Sequence, residues 1–285
     1  MSAVLFDVPG PKARVRHKIM AVVGIAAVLA ALVYVVMRFV VTDQFSARRL
    51  GWVDYKQIQL SLVDAIGNTL SAFAVGAVLA LAFGAIFAAA RLSEHAVVRA
   101  PAAVIVEVFR AIPLVIMMFF FYYGLPQAGV KLSAFTAVVI SLMLYNGSVL
   151  AEIFRAGINS LPKGQSEAAY ALGMRKTQVM TFVLLPQALR AMLPTIISQL
   201  VVLLKDTALG FLITYEELLR WGTRIGGDAV NFGRPMISVM IVVAAIYIGL
   251  CLVLTWLATY LEKRNRRNKK VIHVDADDVP EMAAV

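Results

Sequence analysis

The chain has 285 residues, of which 61% are hydrophobic and 15% charged, at a mean hydropathy of +0.81. A soluble globular domain is about half apolar and about a quarter charged, so the composition excludes that class and assigns the chain to a membrane. The net charge of +10 raises nucleic acid as a partner, but the basic residues form no face beside aromatic stacking groups, and that role is excluded as well.

Residues 1–18 read as a cytoplasmic arm carrying Lys12, Arg14, Arg16 and Lys18. Ile19 to Met37 then runs without Asp, Glu, Lys or Arg, close to the about 20 residues that a helix needs to cross a bilayer core. It predicts a first transmembrane helix over 19–41. The run exceeds the about 7 to 15 apolar residues of a signal peptide and no small-residue cleavage site follows before Arg38, so an uncleaved anchor is expected. Four further charge-free runs are Ala65 to Ala90, Ala111 to Val130, Leu132 to Ala151 and Pro235 to Leu261, and Ala191 to Tyr215 is interrupted only by Lys205 and Asp206. Lipid gives open backbone no partner, so all six must be helices. The expectation is an all-α membrane protein with six transmembrane helices.

Helices in lipid approach closely through small residues at one-turn spacing, and Gly76, Ala80, Gly84 and Ala88 form such a stripe in the second span. Gln127 to Ser133 leaves room for a tight turn. Thr214 to Arg234 is a longer connection with Glu216, Glu217, Gly222, Gly226 and Gly227. Placing the N-terminus in the cytoplasm puts 17 of the 27 Lys and Arg residues inside, so the positive-inside rule sets both termini in the cytoplasm of a multi-pass cell-membrane protein. The basic cluster from Glu262 to Lys270 reads as a stop-transfer anchor, and 262–285 as a cytoplasmic tail that is flexible towards its acidic end.

No enzyme is legible. His17, His95 and His273 are too scattered for a metal site, Cys251 has no partner for a disulfide, and neither HExxH nor GxSxG occurs. The phosphate-binding GxxxxGK[ST] pattern is missing, and the dipeptide Gly-Lys does not occur at all. The chain therefore cannot hydrolyse ATP by that route and carries no cofactor of its own.

The cytoplasmic segment from Glu152 to Arg190 is too long for a simple hairpin. Pro162 and Gly164 break the preceding helix, Ser166 is placed to cap a new one, and Glu167 suits its first turn. That helix, Glu167 to Leu172, is stopped by Gly173, and a second stretch runs from Lys176 to about Leu184 and ends near Pro186. So short a helix is poor at folding alone. With Ala168, Ala169, Tyr170 and Leu172 beside the charge of Glu167, it reads as a plug for a cytoplasmic partner with an Arg or Lys in its groove. A loop packed on its own bundle is the plainer reading.

Ionisable groups within spans are costly and mark candidate sites. Glu107 and Arg110, three apart on one helix, are expected to pair at the mouth of a pathway, with direct substrate contact as the second reading. Lys205 and Asp206 are adjacent, about 100° apart around a helix, so each needs its own partner. Lys205 lies roughly 21 Å along its span from Ala191 at about 1.5 Å per residue. The two serve either as a gate or interhelical ion pair, or as the cation and anion that meet a substrate's carboxylate and ammonium. Asn146 is a pathway-lining candidate near Glu152, because its amide bonds without a charge penalty. Tyr122 and Tyr123 fit an outer aromatic belt.

Glu167-Ala168-Ala169, Gly173 and Leu184-Leu185-Pro186 together resemble the EAA loop of bacterial ABC importer permeases. FRAIPLVIMMFFFYYGLP (Phe109 to Pro126), AEIFRAGINSLPKGQSEAAYALGM (Ala151 to Met174), LLPQALRAMLP (Leu184 to Pro194) and LLKDTALGFLIT (Leu203 to Thr214) are similar to its polar amino acid uptake subfamily, the glutamate, glutamine and histidine type. The likeness covers about Ala65 to Leu261. It implies a type I importer permease core formed by the last five helices, 62–261, with a coupling loop at 152–190 and the first helix as an addition. It further implies cytoplasmic ATPase subunits that bind the ATP, a second permease subunit (a copy or a sister chain) and an extracytoplasmic amino-acid-binding protein. Glu167, Ala168, Ala169, Tyr170, Leu172, Gly173 and Pro186 are the implied ATPase-coupling residues. Glutamate is the implied substrate. Where many relatives carry Ser-Ala-Tyr near the end of the fourth span, this chain has Tyr145-Asn146-Gly147. An ion-gradient-driven secondary transporter is the alternative, although no internal repeat supports it.

Overall fold

The computed structural model describes residues 10–267, with side chains as far as residue 260. The expected acidic tail, His273 and the first residues of the N-terminal arm lie outside the described residues. The elements in order are α1 (Pro11–Val41), α2 (Ala47–Leu50), α3 (Lys56–Arg91), α4 (Ala96–Ala111), α5 (Leu114–Phe119), α6 (Ala134–Asn159), α7 (Lys163–Ala171), α8 (Lys176–Gln178), α9 (Leu185–Asp206), α10 (Leu218–Gly226), α11 (Ala229–Phe232) and α12 (Met236–Arg267). Short 3-10 and π turns join several of them, and no strand occurs among the described residues.

Five helical stretches are long and apolar enough to cross a bilayer: Pro11–Val41, Lys56–Arg91, Ala134–Asn159, Lys176–Ile213 and Met236–Tyr260. The remaining expected span, third in chain order, is redrawn in its course, and counting its two arms as one span keeps the six. Ala111 to Val130 is one arm of a broken pair, Ala96–Ala111 and Leu114–Ala128, bent by 96°. Pro113 explains the break: the residue before a proline is driven from helical into extended backbone, and Ile112 has φ −78° and ψ 124°.

A second correction concerns Pro186. Lys176–Ile213 runs on as one helical span instead of ending there, because a π turn over Val179–Leu184 leads into α9 with Pro186 in its first turn. Wider π hydrogen bonding absorbs the carbonyl clash and missing N–H that a proline brings to a regular helix. The α6 helix likewise continues through Glu152 to Asn159, so the connection between spans reduces to residues 160–175, with α7 inside it.

α3 and α6 form the spine of the bundle, in close contact and parallel, since Gly76 meets Leu142 and Gly84 meets Leu150. The predicted stripe is its seam, with Gly76, Ala80, Gly84 and Ala88 all buried. A Cβ on Gly84 would lie 2.8 Å from Leu150 Cβ, and one on Gly147 only 2.9 Å from Phe83 Cδ1 and 3.1 Å from the Ala80 carbonyl oxygen. Only glycine admits this approach. A second core joins α3, α10 and α12 at the end of the bundle remote from α7, where Trp52 and Trp221 meet edge to face at 5.9 Å. Gly222, expected in a loop, packs there within α10: its Cβ would meet Val243 Cγ2 at 2.7 Å. No residue of α1 is buried.

Candidate functional site

α7 stands at one end of the bundle. It starts four residues before Glu167, at Lys163 after Pro162, so Ser166 is inside the helix bonding the Lys163 carbonyl at 2.8 Å and is not its cap. Gly173 stops the helix as expected. Its φ of +77° lets its N–H reach the Tyr170 carbonyl at 2.9 Å and the Met174 N–H reach the Ala169 carbonyl at 3.2 Å, the paired bonds of a Schellman stop.

Ala169 is the one buried residue of α7 and seats it on the π turn before α9, so of the two alanines only Ala168 faces outward. Glu167, Gly173 and Pro186 are exposed, Leu172 is 82% exposed and Tyr170 is 48% exposed. Phe182, on the adjoining π turn, is 72% exposed; the sequence reading missed it because it follows the EAA pattern by 13 residues. Apolar groups thus flank the Glu167 carboxylate, which has no ion pair among the described residues, on a short, rigidly stopped helix. Exposed patches of this kind mark a binding surface.

The second locus lies between α6 and α9. Asn146 is fully buried, donates from Nδ2 to Asp206 Oδ2 at 3.0 Å and accepts from Gln199 Nε2 at 2.7 Å. Asp206 Oδ1 takes no bond from a described residue, and neighbouring Lys205 is exposed, with no ion pair among the described residues. Asn146 and Asp206 are therefore brought together, and Lys205 and Asp206 do not bridge each other. Gln199 went unread in the sequence, though it precedes Asp206 by seven residues and so shares its helix face.

Glu107 and Arg110 do not pair as expected. Glu107 Oε1 lies 3.5 Å from Arg91 Nη2, and Arg91 Nη1 lies 3.1 Å from Glu152 Oε2, which Arg155 Nε also reaches at 3.1 Å. Arg91, at the end of α3, thus ties α4 to α6, while Arg110 is exposed beside this cluster. Tyr122 bonds Thr214 at 3.0 Å and Tyr123 is half exposed.

A groove of about 580 Å³ near α7 has mainly apolar walls, and Lys176 and Glu94 pair at its rim. The Lys176 ammonium holds the Glu94 carboxyl below its usual range. The groove shares no residue with the Asn146 locus.

At the far end, Glu217 is fully buried as the N-cap of α10. It accepts the N–H groups of Leu219 at 2.8 Å and Arg220 at 2.6 Å and the Tyr247 hydroxyl at 2.7 Å. Burial lifts its carboxyl to about 7 against the pull of those bonds. The next N–H, of Leu218, bonds Thr69 of α3 at 3.1 Å. The carboxylate thereby joins α10 to α12, and the neighbouring Leu218 N–H joins α10 to α3.

A family model described as the binding-protein-dependent transport system inner membrane component matches residues 80–267. The chain belongs to that family. It is an ABC transporter permease, a multi-pass membrane protein whose fold is that of the importer permeases. It is 46% identical over 211 residues, 73% of this chain and 76% of the other, to the glutamate transport system permease protein GluD of Corynebacterium glutamicum. It is 34% identical to the glutamine transport system permease protein GlnP of Escherichia coli, over 71% of this chain and 92% of that one. The solved structure of an amino acid ABC transporter with histidines superposes with a TM-score of 0.68 at 30% identity, covering 75% of this permease and 97% of that chain. Methionine transporter MetNI, at 20% identity and a TM-score of 0.57, shares the fold. Membership does not favour the ion-gradient alternative, and α1 precedes the matched region of this permease.

Proposed function

We propose that this permease translocates a polar amino acid, glutamate, into the cytoplasm, driven by ATP that partner subunits bind. The observation that carries the coupling is α7, a short helix ended by a Schellman stop, seated by Ala169 and presenting Glu167, Ala168, Tyr170 and Leu172 outward. Docked in the groove of a cytoplasmic ATPase subunit, such a helix transmits closure as a rigid body, and an Arg or Lys of the groove answers Glu167. The permease domain is 62–261, its coupling surface lies within 152–190, and both termini are cytoplasmic. A second permease subunit completes the pathway, and an extracytoplasmic binding protein delivers the substrate.

The amino acid's ammonium meets the Asp206 carboxylate beside Asn146 and its carboxylate meets Lys205, while Glu107 and Arg110 flank the cytoplasmic mouth. Identity of 46% to a permease named for glutamate supports the substrate. The test is uptake of labelled glutamate in cells lacking this chain and in the same cells after restoration, with unlabelled amino acids as competitors. Restored uptake that survives a protonophore while ATP is maintained is the expected result. Uptake that collapses with the proton gradient overturns the coupling, and uptake indifferent to the deletion overturns glutamate.

A further inference from the structure

Asn146 is enclosed, and its amide has two unlike ends: Oδ1 accepts and Nδ2 donates. Gln199 Nε2 stands 2.7 Å from Oδ1, and Asp206 Oδ2 stands 3.0 Å from Nδ2. A carboxylate without a proton can only accept, so the end of Asn146 facing Asp206 must be the amino group. The carbonyl then faces Gln199, which must present its own amino end. The three groups form a relay with a single polarity, running from Gln199 through Asn146 to Asp206 and crossing from α9 to α6 and back. Reversing any member sets two acceptors or two donors against each other beside the buried amide of Asn146, where a lost bond is costly.

We propose that Gln199 is the positioning residue of the translocation site. By fixing the amide of Asn146 it holds Asp206 through Oδ2 as a bare carboxylate, with Oδ1 left to receive the ammonium of an amino acid. The inference rests on the reading of Asp206 as the substrate's anionic contact, and adds the residue that sets its geometry and charge state without touching substrate. Gln199 lies seven residues before Asp206 on the same helix, so substrate at Oδ1 need not displace it. Lys205, exposed one residue earlier, is left for the carboxylate end.

Three variants of the full permease, expressed with its partner subunits, separate the relay from the site. Gln199→Glu replaces the donor by an acceptor of the same shape. Asn146 must turn to satisfy it, and its carbonyl then faces Asp206. A loss of several degrees in melting temperature, or of membrane accumulation, is expected, together with loss of uptake. Asp206→Asn preserves the polarity, because its amide oxygen still accepts from Asn146; melting temperature should hold while glutamate uptake falls about tenfold or more, the value of one charged hydrogen bond. In Gln199→Glu/Asp206→Asn the relay runs backwards with every bond made: Asn146 donates to the carboxylate at position 199, and the new amide at position 206 donates to the Asn146 carbonyl.

The double variant should therefore regain the melting temperature or accumulation that Gln199→Glu loses, yet not regain uptake. A double variant that accumulates yet is no more stable than Gln199→Glu, or a Gln199→Glu protein indistinguishable from wild type, overturns the relay. Recovery of both stability and uptake upholds the relay and overturns the role of the Asp206 charge. Should neither protein carrying Gln199→Glu accumulate, Gln199→Met removes the donor without adding charge. It should raise the KM for glutamate about tenfold with maximal uptake per permease within about twofold, and an unchanged KM sinks the positioning role.

Discussion

Glu217→Gln offers a quantitative check on the junction of α3, α10 and α12. Burial raises the Glu217 carboxyl from 4.5 to about 7, and each pH unit of difference between folded and unfolded states is about 1.4 kcal/mol. The total effect is ~3 kcal/mol. Because the folded state holds the proton more tightly, this contribution is complete below pH 4.5, declines as pH rises towards 7 and is lost above it. Wild-type stability should therefore fall across that window. Glutamine cannot ionise, and its single acceptor oxygen leaves one of the two α10 N–H groups without its bond, a constant cost of about 1–2 kcal/mol. The assay is thermal unfolding in lipid nanodiscs at pH 5, 6, 7 and 8. The melting temperature of the wild type should drop relative to Glu217→Gln by roughly 5–10 °C over that range, where about 2.5 kcal/mol of the contribution is lost, at about 2–4 °C per kcal/mol for a chain of this size. Glu94 and Asp228, whose carboxyls are held below their usual range, act in the opposite direction in both proteins and cancel in the difference. Parallel curves would refute the assignment of a near-neutral buried carboxyl to Glu217.

Glu167→Lys should abolish ATP-driven glutamate uptake by repelling the docking groove, with unchanged membrane levels; full uptake in that variant would argue for ion-gradient coupling instead. Lys205→Met should stop transport while co-purification of the ATPase subunit stays normal, and normal uptake at normal membrane levels removes Lys205 from the site. Gly84→Val inserts its Cβ 2.8 Å from Leu150 Cβ, an overpacking of about 1–3 kcal/mol that should lower accumulation and melting temperature. Gly67→Ala on the same helix meets nothing within 4 Å and should leave both unchanged or slightly raised, which separates crowding at the seam from helix propensity.

What the sequence made legible are features with a short period or a local cause. Spans are contiguous, so five of them appear as runs without charge. The α3 stripe repeats every four residues, and each member sits at the seam. Gly173 ends α7 because the positive φ there is a property of that one position. Proline signals were harder to weigh. Pro113 carries the break that splits the third span, yet Pro186 breaks nothing, because the widened turn over Val179–Leu184 takes up its clash. A proline alone does not fix the outcome, since Pro101 and Pro194 sit inside α4 and α9; whether the chain bends, widens or runs on depends on what packs around it.

Partners across helices were the part that did not follow. Glu107 lies three residues from Arg110 and its local pairing is sound physics, but Arg91 arrives from α3, within 3.5 Å of Glu107 and 3.1 Å of Glu152. A guanidinium serving two carboxylates from different helices outweighs one i,i+3 pair at an exposed surface, where such a pair is worth only about 0.2–0.5 kcal/mol. The same logic governs Asn146. Nothing within a turn of it is charged, Glu152 lying six residues on, and its charged partner lies 60 residues away. What the sequence does hold is the mate of that interaction: Gln199 and Asp206 are both polar, seven apart, on a span otherwise apolar between them save for Lys205. Two polar side chains stacked on one face of a membrane helix demand a facing group that can both accept and donate, and an asparagine on the packed neighbour does so without a charge, from two ends set apart far enough to meet both.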